Sequence, residues 1–361
     1  MRANYLSNLS ALAIVERFAG NPGNGDRLRG KAVELADRWV GSSPPDADLL
    51  AAAASTYGDL ASAQRLREEF RSAAAGASRN LELARQAYAL DPKNITRLRA
   101  VTSGYLTAGY VELDAGRYRA AIDQFSQGNR LLDGPLADHP KHPALRLMRT
   151  VLLHKTAEAT WKLRRKQEGN QADALPLLQE AYRIGSDLAA DDPANDAVES
   201  ALSDLEGLYG SVLQMLGRPA EALPLLTHGN EYYSRHWKEV PSDTNAAFNL
   251  AIGRVWISDC RRDLHDLKGA LDESRSAAEI WDRLLAMRPG TFRYLHQKAD
   301  NLNTMGNLLA LMGDVEAARD CFSVGLEIAE GLPKQDASYS TAVVVNELRE
   351  SAKKLERAER R

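Results

Sequence analysis

Residues 202–229 read LSDLEGLYGSVLQMLGRPAEALPLLTHG. Leu202, Leu205, Tyr209, Leu213 and Leu216 follow one another at steps of three and four, the spacing of one apolar face on an α-helix. Gly217-Arg218 then interrupts the pattern, and glycine after a helical run is a C-terminal cap signal. Ala222, Leu223, Leu226 and Gly229 resume the same rhythm. The stretch therefore predicts helix, turn, helix.

The stretch also recurs. Its small residues belong to three columns: Gly109, Ala157, Gly210, Ser258 and Gly306; Ala121, Ala174, Ala222, Ala270 and Ala318; Gly128, Ala181, Gly229, Ala277 and Gly325. Successive members stand 48 residues apart, as from Gly210 to Ser258, except for one 53-residue step in each column, as from Ala157 to Gly210. Small residues at matched positions let neighbouring helix backbones approach, and a fixed period of this size marks a solenoid. Pro92, Pro140, Pro193, Pro241, Pro289 and Pro333 end the units, because proline cannot continue a helix. Gly58-Asp59, Gly116-Arg117, Gly169-Asn170, Gly217-Arg218 and Gly313-Asp314 mark the mid-unit turns. The fifth unit has His265-Asp266-Leu267-Lys268 there, which predicts a less regular turn.

The ends are less periodic. Leu6 to Ala19 reads as one helix, broken by residues 20–25, and Leu28 to Val40 as another, ended at Gly41–Pro45. Asp46 to Tyr57 opens the first unit, with an extra stretch from Arg65 to Ser78 before a short helix from Asn80 to Leu90. Val343-Val344-Val345 is the one β-branched run, and Ser340 to Arg361 reads as a charged terminal helix. Lys353, Lys354, Glu356, Arg357, Glu359 and Arg360 suit a polar cap on the stack. The expected organisation is an N-terminal helical segment over 1–43, a solenoid of about six helix pairs over 44–335, and a capping helix over 336–361. The expected fold is all-α, a right-handed α-solenoid of stacked antiparallel helix pairs.

Within the units the pattern resembles the tetratricopeptide repeat. The last full unit carries it as Leu302, Met305-Gly306, Leu309, Gly313, Ala318, Phe322, Gly325 and Pro333. The second does so as Tyr105, Gly109, Gly116, Ala121, Phe125, Gly128 and Pro140. The usual unit has about 34 residues, and the surplus here falls at the outer helix ends. Each helix then gains about two turns and reaches about 20 residues, or about 30 Å. The resemblance implies a superhelix that binds protein segments. A narrower resemblance also exists. Ala32–Asp37, Pro45, Ala54–Leu60 and Asp191–Asn195 are similar to the C-terminal repeat region of bacterial serine/threonine kinases. It implies a bacterial signalling protein, and, as an alternative function, the sensory or regulatory part of a kinase whose catalytic domain is not in this chain.

At 361 residues, 44% apolar and 26% charged, the chain can bury a core, and a net charge of −3 gives no basic face for nucleic acid. No apolar run reaches membrane-spanning length, since the longest early run is Ala11 to Val15. Arg2 followed by polar Asn4–Asn8 does not read as a signal peptide. Cys260 and Cys321, both in helical stretches, read as reduced thiols, and the expected location is the cytoplasm. No glycine-rich G-x-G-x-x-G follows a strand, and G-x-S-x-G is absent. Arg262-Asp263-Leu264 has Arg261 where a kinase catalytic loop needs His, and no Asp-Phe-Gly follows. His139 and His142 in a proline-bound connector, and His228 and His236 on one helix, lack the further ligands a metal needs. The basic run from Lys162 to Lys166 suits a helix C-terminus, or an acidic partner. The chain is thus expected to be no enzyme and to hold no cofactor or metal.

What remains is a surface. In stacked pairs the first helices line the inner curve, and the stripe beside the first small column faces it. That stripe carries Tyr110, Glu158, Ser211, Asp259 and Asn307, then Leu113, Trp161, Gln214, Arg262 and Ala310, and one turn earlier Leu106, His154, Gly207, Val255 and Asn303. The candidate groove residues are Tyr110, His154, Glu158, Trp161, Asp259, Arg262, Asn303 and Asn307, with Asn303 and Asn307 placed to grip a peptide backbone through their amides. The expected partner is a protein or peptide segment, with neither nucleic acid nor membrane.

Overall fold

The computed structural model describes residues 1–18, 20–42, 46–166, 170–333 and 341–359. Among these residues the chain is all-α and has no strand. Contacts group it into two units, Met1–Ile184 and Gly185–Arg361. Each is a stack of antiparallel helix pairs, the α-solenoid architecture expected from the period.

The first unit holds α1 (Arg2–Phe18), α2 (Pro22–Ser42), α3 (Ala47–Leu66), α4 (Phe70–Leu90), α5 (Ile95–Asp114), α6 (Tyr118–Arg130), α7 (Asp133–Asp138), α8 (Pro143–Lys166), a 3-10 turn at Gln171–Ala174 and the start of α9 (Leu175–Asp191). The second holds α10 (Asp196–Met215), α11 (Pro219–Glu239), α12 (Thr244–Asp263), α13 (Leu267–Met287), α14 (Phe292–Leu311), α15 (Val315–Glu330) and α16 (Thr341–Glu359). Helices α3, α4, α5 and α10 to α14 each have 20 or 21 residues, the expected length. Connectors restart the helices through side-chain caps. Asn94 accepts from the Thr96 and Arg97 amides, Asn195 from Val198, and Asp243 from Asn245 and Ala246.

Several boundaries differ from the sequence reading. Gly58-Asp59 is no turn, because α3 runs through both residues. The turn lies at Arg67–Glu69, and α4 starts at Phe70, so neither the extra stretch from Arg65 to Ser78 nor a short helix at Asn80 exists. Gly58 is small for another reason. A Cβ there would lie 2.9 Å from Asn80 Nδ2, whose amide donates to Ala54 O. With this turn placed, Ala61, Ala73 and Asn80 stand 48 residues before Gly109, Ala121 and Gly128, so the columns begin one unit earlier. Residues 22–25 open α2 instead of breaking the chain, since Pro22 loses no helical hydrogen bond at a first-turn position. Pro135 cannot donate to Leu131 O, and the second helix of that pair splits into α6 and α7. The valine run 343–345 sits inside α16, where Val344 packs in the core. Ala19, Pro45, Gly169, Ser340 and Arg360 lie outside the described residues.

The His265 turn is regular. Gly116, Gly217 and Gly313 take left-handed φ of 72°, 73° and 84°, and His265 takes 65° and Glu68 61° at the matching positions. In all five turns the next amide reaches back to the carbonyl five residues earlier: Glu69 to Gln64, Arg117 to Glu112, Arg218 to Leu213, Asp266 to Arg261 and Asp314 to Leu309, each at 2.8–2.9 Å. This is one Schellman closure repeated. Hydrogen bonding fixes the conformation, and glycine only adopts it with less strain. His265→Gly should therefore stabilise the chain by about 1 kcal/mol, measured by urea unfolding. No change, or a loss, would contradict a strained histidine.

Candidate functional site

Successive first helices touch directly. Helix α3 packs on α5 and α5 on α8; in the second unit α10 packs on α12, and α12 on α14. Among the described residues no comparable contact joins α4 to α6, α11 to α13 or α13 to α15. Crowding on one side only places the first helices on the inner side of each stack.

Side chains bridge these helices at a spacing the small columns do not reveal. Arg65 pairs with Asp114, Arg97 Nη2 lies 3.2 Å from Asp48 Oδ1, and Gln214 Nε2 donates to Asp263 Oδ2 at 2.7 Å. Each pair is 49 residues apart, one more than the period. Gly207 and Trp256 share this spacing, and a Cβ on Gly207 would lie 3.3 Å from the indole. A shift of one residue per repeat brings a residue beside its neighbour on the next helix.

In the first unit Tyr110, His154, Glu158 and Trp161 fall on α5 and α8. Arg65, at 5.4 Å, and Lys155 Nζ, at 5.8 Å, both lie over the Tyr110 ring. Glu158 accepts from Lys155 and Lys162, both at 2.9 Å. Burial pushes the Glu158 carboxyl up, but the two ammonium groups outweigh it and hold it well below its ordinary value. His154 is buried, and burial with the nearby Lys155 charge holds its imidazole neutral, far below the usual range. Tyr110, Glu158 and Trp161 remain half-exposed.

In the second unit Arg262 pairs with Asp259 at 2.6 Å and with Asp263 at 2.9 Å. Burial raises the Asp259 carboxyl to about 6, against the pull of Arg262 and helped by Asp263. Asn307 Nδ2 donates to Asn303 Oδ1 at 3.4 Å. Ser211 is buried and donates to Leu208 O, which withdraws it from the face. Sequence reasoning missed Arg65, Asp114, Lys155, Trp256 and Asp263. The 49-residue spacing was the signal that could have found all of them but Lys155.

Among the described residues no group of three or more His, Cys, Asp or Glu could hold a metal ion. His228 Nδ1 lies 2.8 Å from Glu206 Oε2, and His236 Nε2 3.2 Å from Asp243 Oδ2, so the two imidazoles serve separate hydrogen bonds. No described helix is long and apolar enough to cross a membrane.

No protein-family model and no curated protein matches the chain. Solved structures do. The chain is similar to BtubC (BKLC) from P. vanneervenii, with 15% identity over 73% of this chain and 95% of that one, at a TM-score of 0.50. It is similar to a Rap protein complexed with Competence and Sporulation Factor, with 13% identity over 91% and 77%, at 0.52. The apo form of RapI gives 11% identity over 94% and 79%, at 0.54. At these identities the likeness establishes the fold, a tetratricopeptide-like stack of helix pairs.

Proposed function

We propose that this chain is a non-catalytic interaction scaffold that holds an extended or helical protein segment against its first helices. One observation carries this reading. In each unit the first helices present half-exposed groups on one face, Tyr110, Glu158 and Trp161 in the first unit and Asp259, Arg262, Asn303 and Asn307 in the second. The first face supplies stacking surface and charge pairing to a bound segment, and the second supplies charge pairing and backbone-directed amides. The solved complex of a Rap protein with Competence and Sporulation Factor supports it by analogy of fold. Free Cys260 and Cys321 fit a reducing, cytoplasmic setting. The kinase-linked reading rests on motifs that the hairpins themselves use. Ala54–Leu60 lies within α3, and Asn195 caps α10. The scaffold reading is therefore preferred.

The test starts by isolating the partner from source-cell lysate and identifying it by mass spectrometry. Trp161→Ala combined with Asn307→Ala should then weaken binding at least about tenfold by calorimetry, with unchanged helical circular dichroism. Unaltered affinity would sink the reading.

A further inference from the structure

Helices α10, α11 and α12 enclose a pocket of about 100 Å³ in the second unit. Two of its lining residues, Gly207 and Trp256, belong to the bridge between first helices described above. The pocket therefore borders the proposed binding face. Its other walls come from deeper in the stack, and their chemistry is one-sided.

Asn230 on α11 is 8% exposed, and its Oδ1 is buried without a hydrogen-bond partner. Gly253 keeps that oxygen in place, because a Cβ there would lie 2.4 Å from it. The Tyr233 hydroxyl donates to Asp204 Oδ1, which places a carboxylate at the exposed edge. Trp256 adds an aromatic wall. Among the described residues no lysine, arginine or histidine lines the pocket. A carboxylate, an unpaired carbonyl oxygen and an indole together favour a group that is cationic and donates hydrogen bonds. An acidic tip would meet Asp204 without a compensating charge. An aliphatic tip would leave Asn230 Oδ1 unpaired.

We propose that this pocket receives the cationic tip of an arginine or lysine side chain from the segment bound on the first-helix face. The proposal rests on the scaffold reading and narrows it, since the partner segment then carries a basic residue as its anchor in the second unit.

The probe is N-acetyl-arginine N-methylamide, titrated into the full chain against its norleucine and glutamate counterparts. The Trp256 indole N–H signal reports binding, assigned by its loss in Trp256→Phe. The arginine probe should shift that signal saturably and bind at least about tenfold more tightly than norleucine. Asp204→Asn, an isosteric change at an exposed residue, should remove most of that preference while leaving helicity unchanged. Equal affinity for arginine and norleucine, or a preference that survives Asp204→Asn, overturns the proposal. A single-residue probe reads the pocket apart from the groove. A partner that needs Trp161 and Asn307 while arginine shows no preference sinks the pocket alone. Arginine selectivity together with a partner indifferent to those two residues sinks the groove reading, and with it the partner residue assigned here.

Discussion

Gly306→Leu is expected to destabilise the chain by about 3 kcal/mol or more, measured by urea unfolding. A Cβ at Gly306 would lie 2.4 Å from Phe322 Cε1, and Phe322 is 1% exposed. The ring has nowhere to go. Gly109 stands in the same relation to Phe125, at 2.2 Å, and Gly210 to Leu226 Cγ, at 2.5 Å. A leucine gains about 1 kcal/mol in helix propensity over glycine, which is too little to offset forcing a ring out of a closed core. The partner in each case is the residue four after the second column. Where it is small, the first column need not be glycine: Ala61 packs with Ala77 in one buried cluster, and Ser258 Oγ lies 2.9 Å from Ser274 Oγ. Volume is shared between the two helices. Adding Phe322→Ala to Gly306→Leu should therefore recover at least half of the loss. A double variant as unstable as the single one would show that the columns reflect something other than this packing.

Trp281→Ala should be the most damaging single truncation, at about 3–5 kcal/mol. Trp281 is fully buried in α13, its ring 5.3 Å from Phe248 of α12 in an edge-to-face arrangement, within a cluster that includes Tyr294 of α14. It therefore joins one helix pair to the next, and in a repeat stack such a junction carries the cooperativity. Thermal unfolding of Trp281→Ala should broaden or split as well as shift. Trp281→Phe should cost only about 1 kcal/mol, because the indole Nε1 has no hydrogen-bond partner to lose. A large loss for phenylalanine, or a small one for alanine, would contradict this account.

The groove residues read from the sequence fall on the first helices as expected, because a 3.6-residue period fixes which side chains share a face. Ser211 and His154 are nonetheless buried, since burial depends on what the next helix brings. The pocket was illegible for the same reason. Gly207, Asn230 and Gly253 lie on three helices, and no local pattern marks them as neighbours.

Hydrophobic rhythm, recurring small residues and prolines sufficed to establish helix pairs, their period and their order, because each is a property of neighbours in the chain. Gly58 could not be told from a turn glycine, nor His265 from an irregular one. A close helix approach and a left-handed turn both select glycine, and only the hydrogen bonds and the facing helix separate them. The 49-residue bridges, the volume shared between Gly306 and Phe322, and the charge of the pocket were decided by the tertiary structure, because each depends on side chains that meet only when one helix is laid against the next.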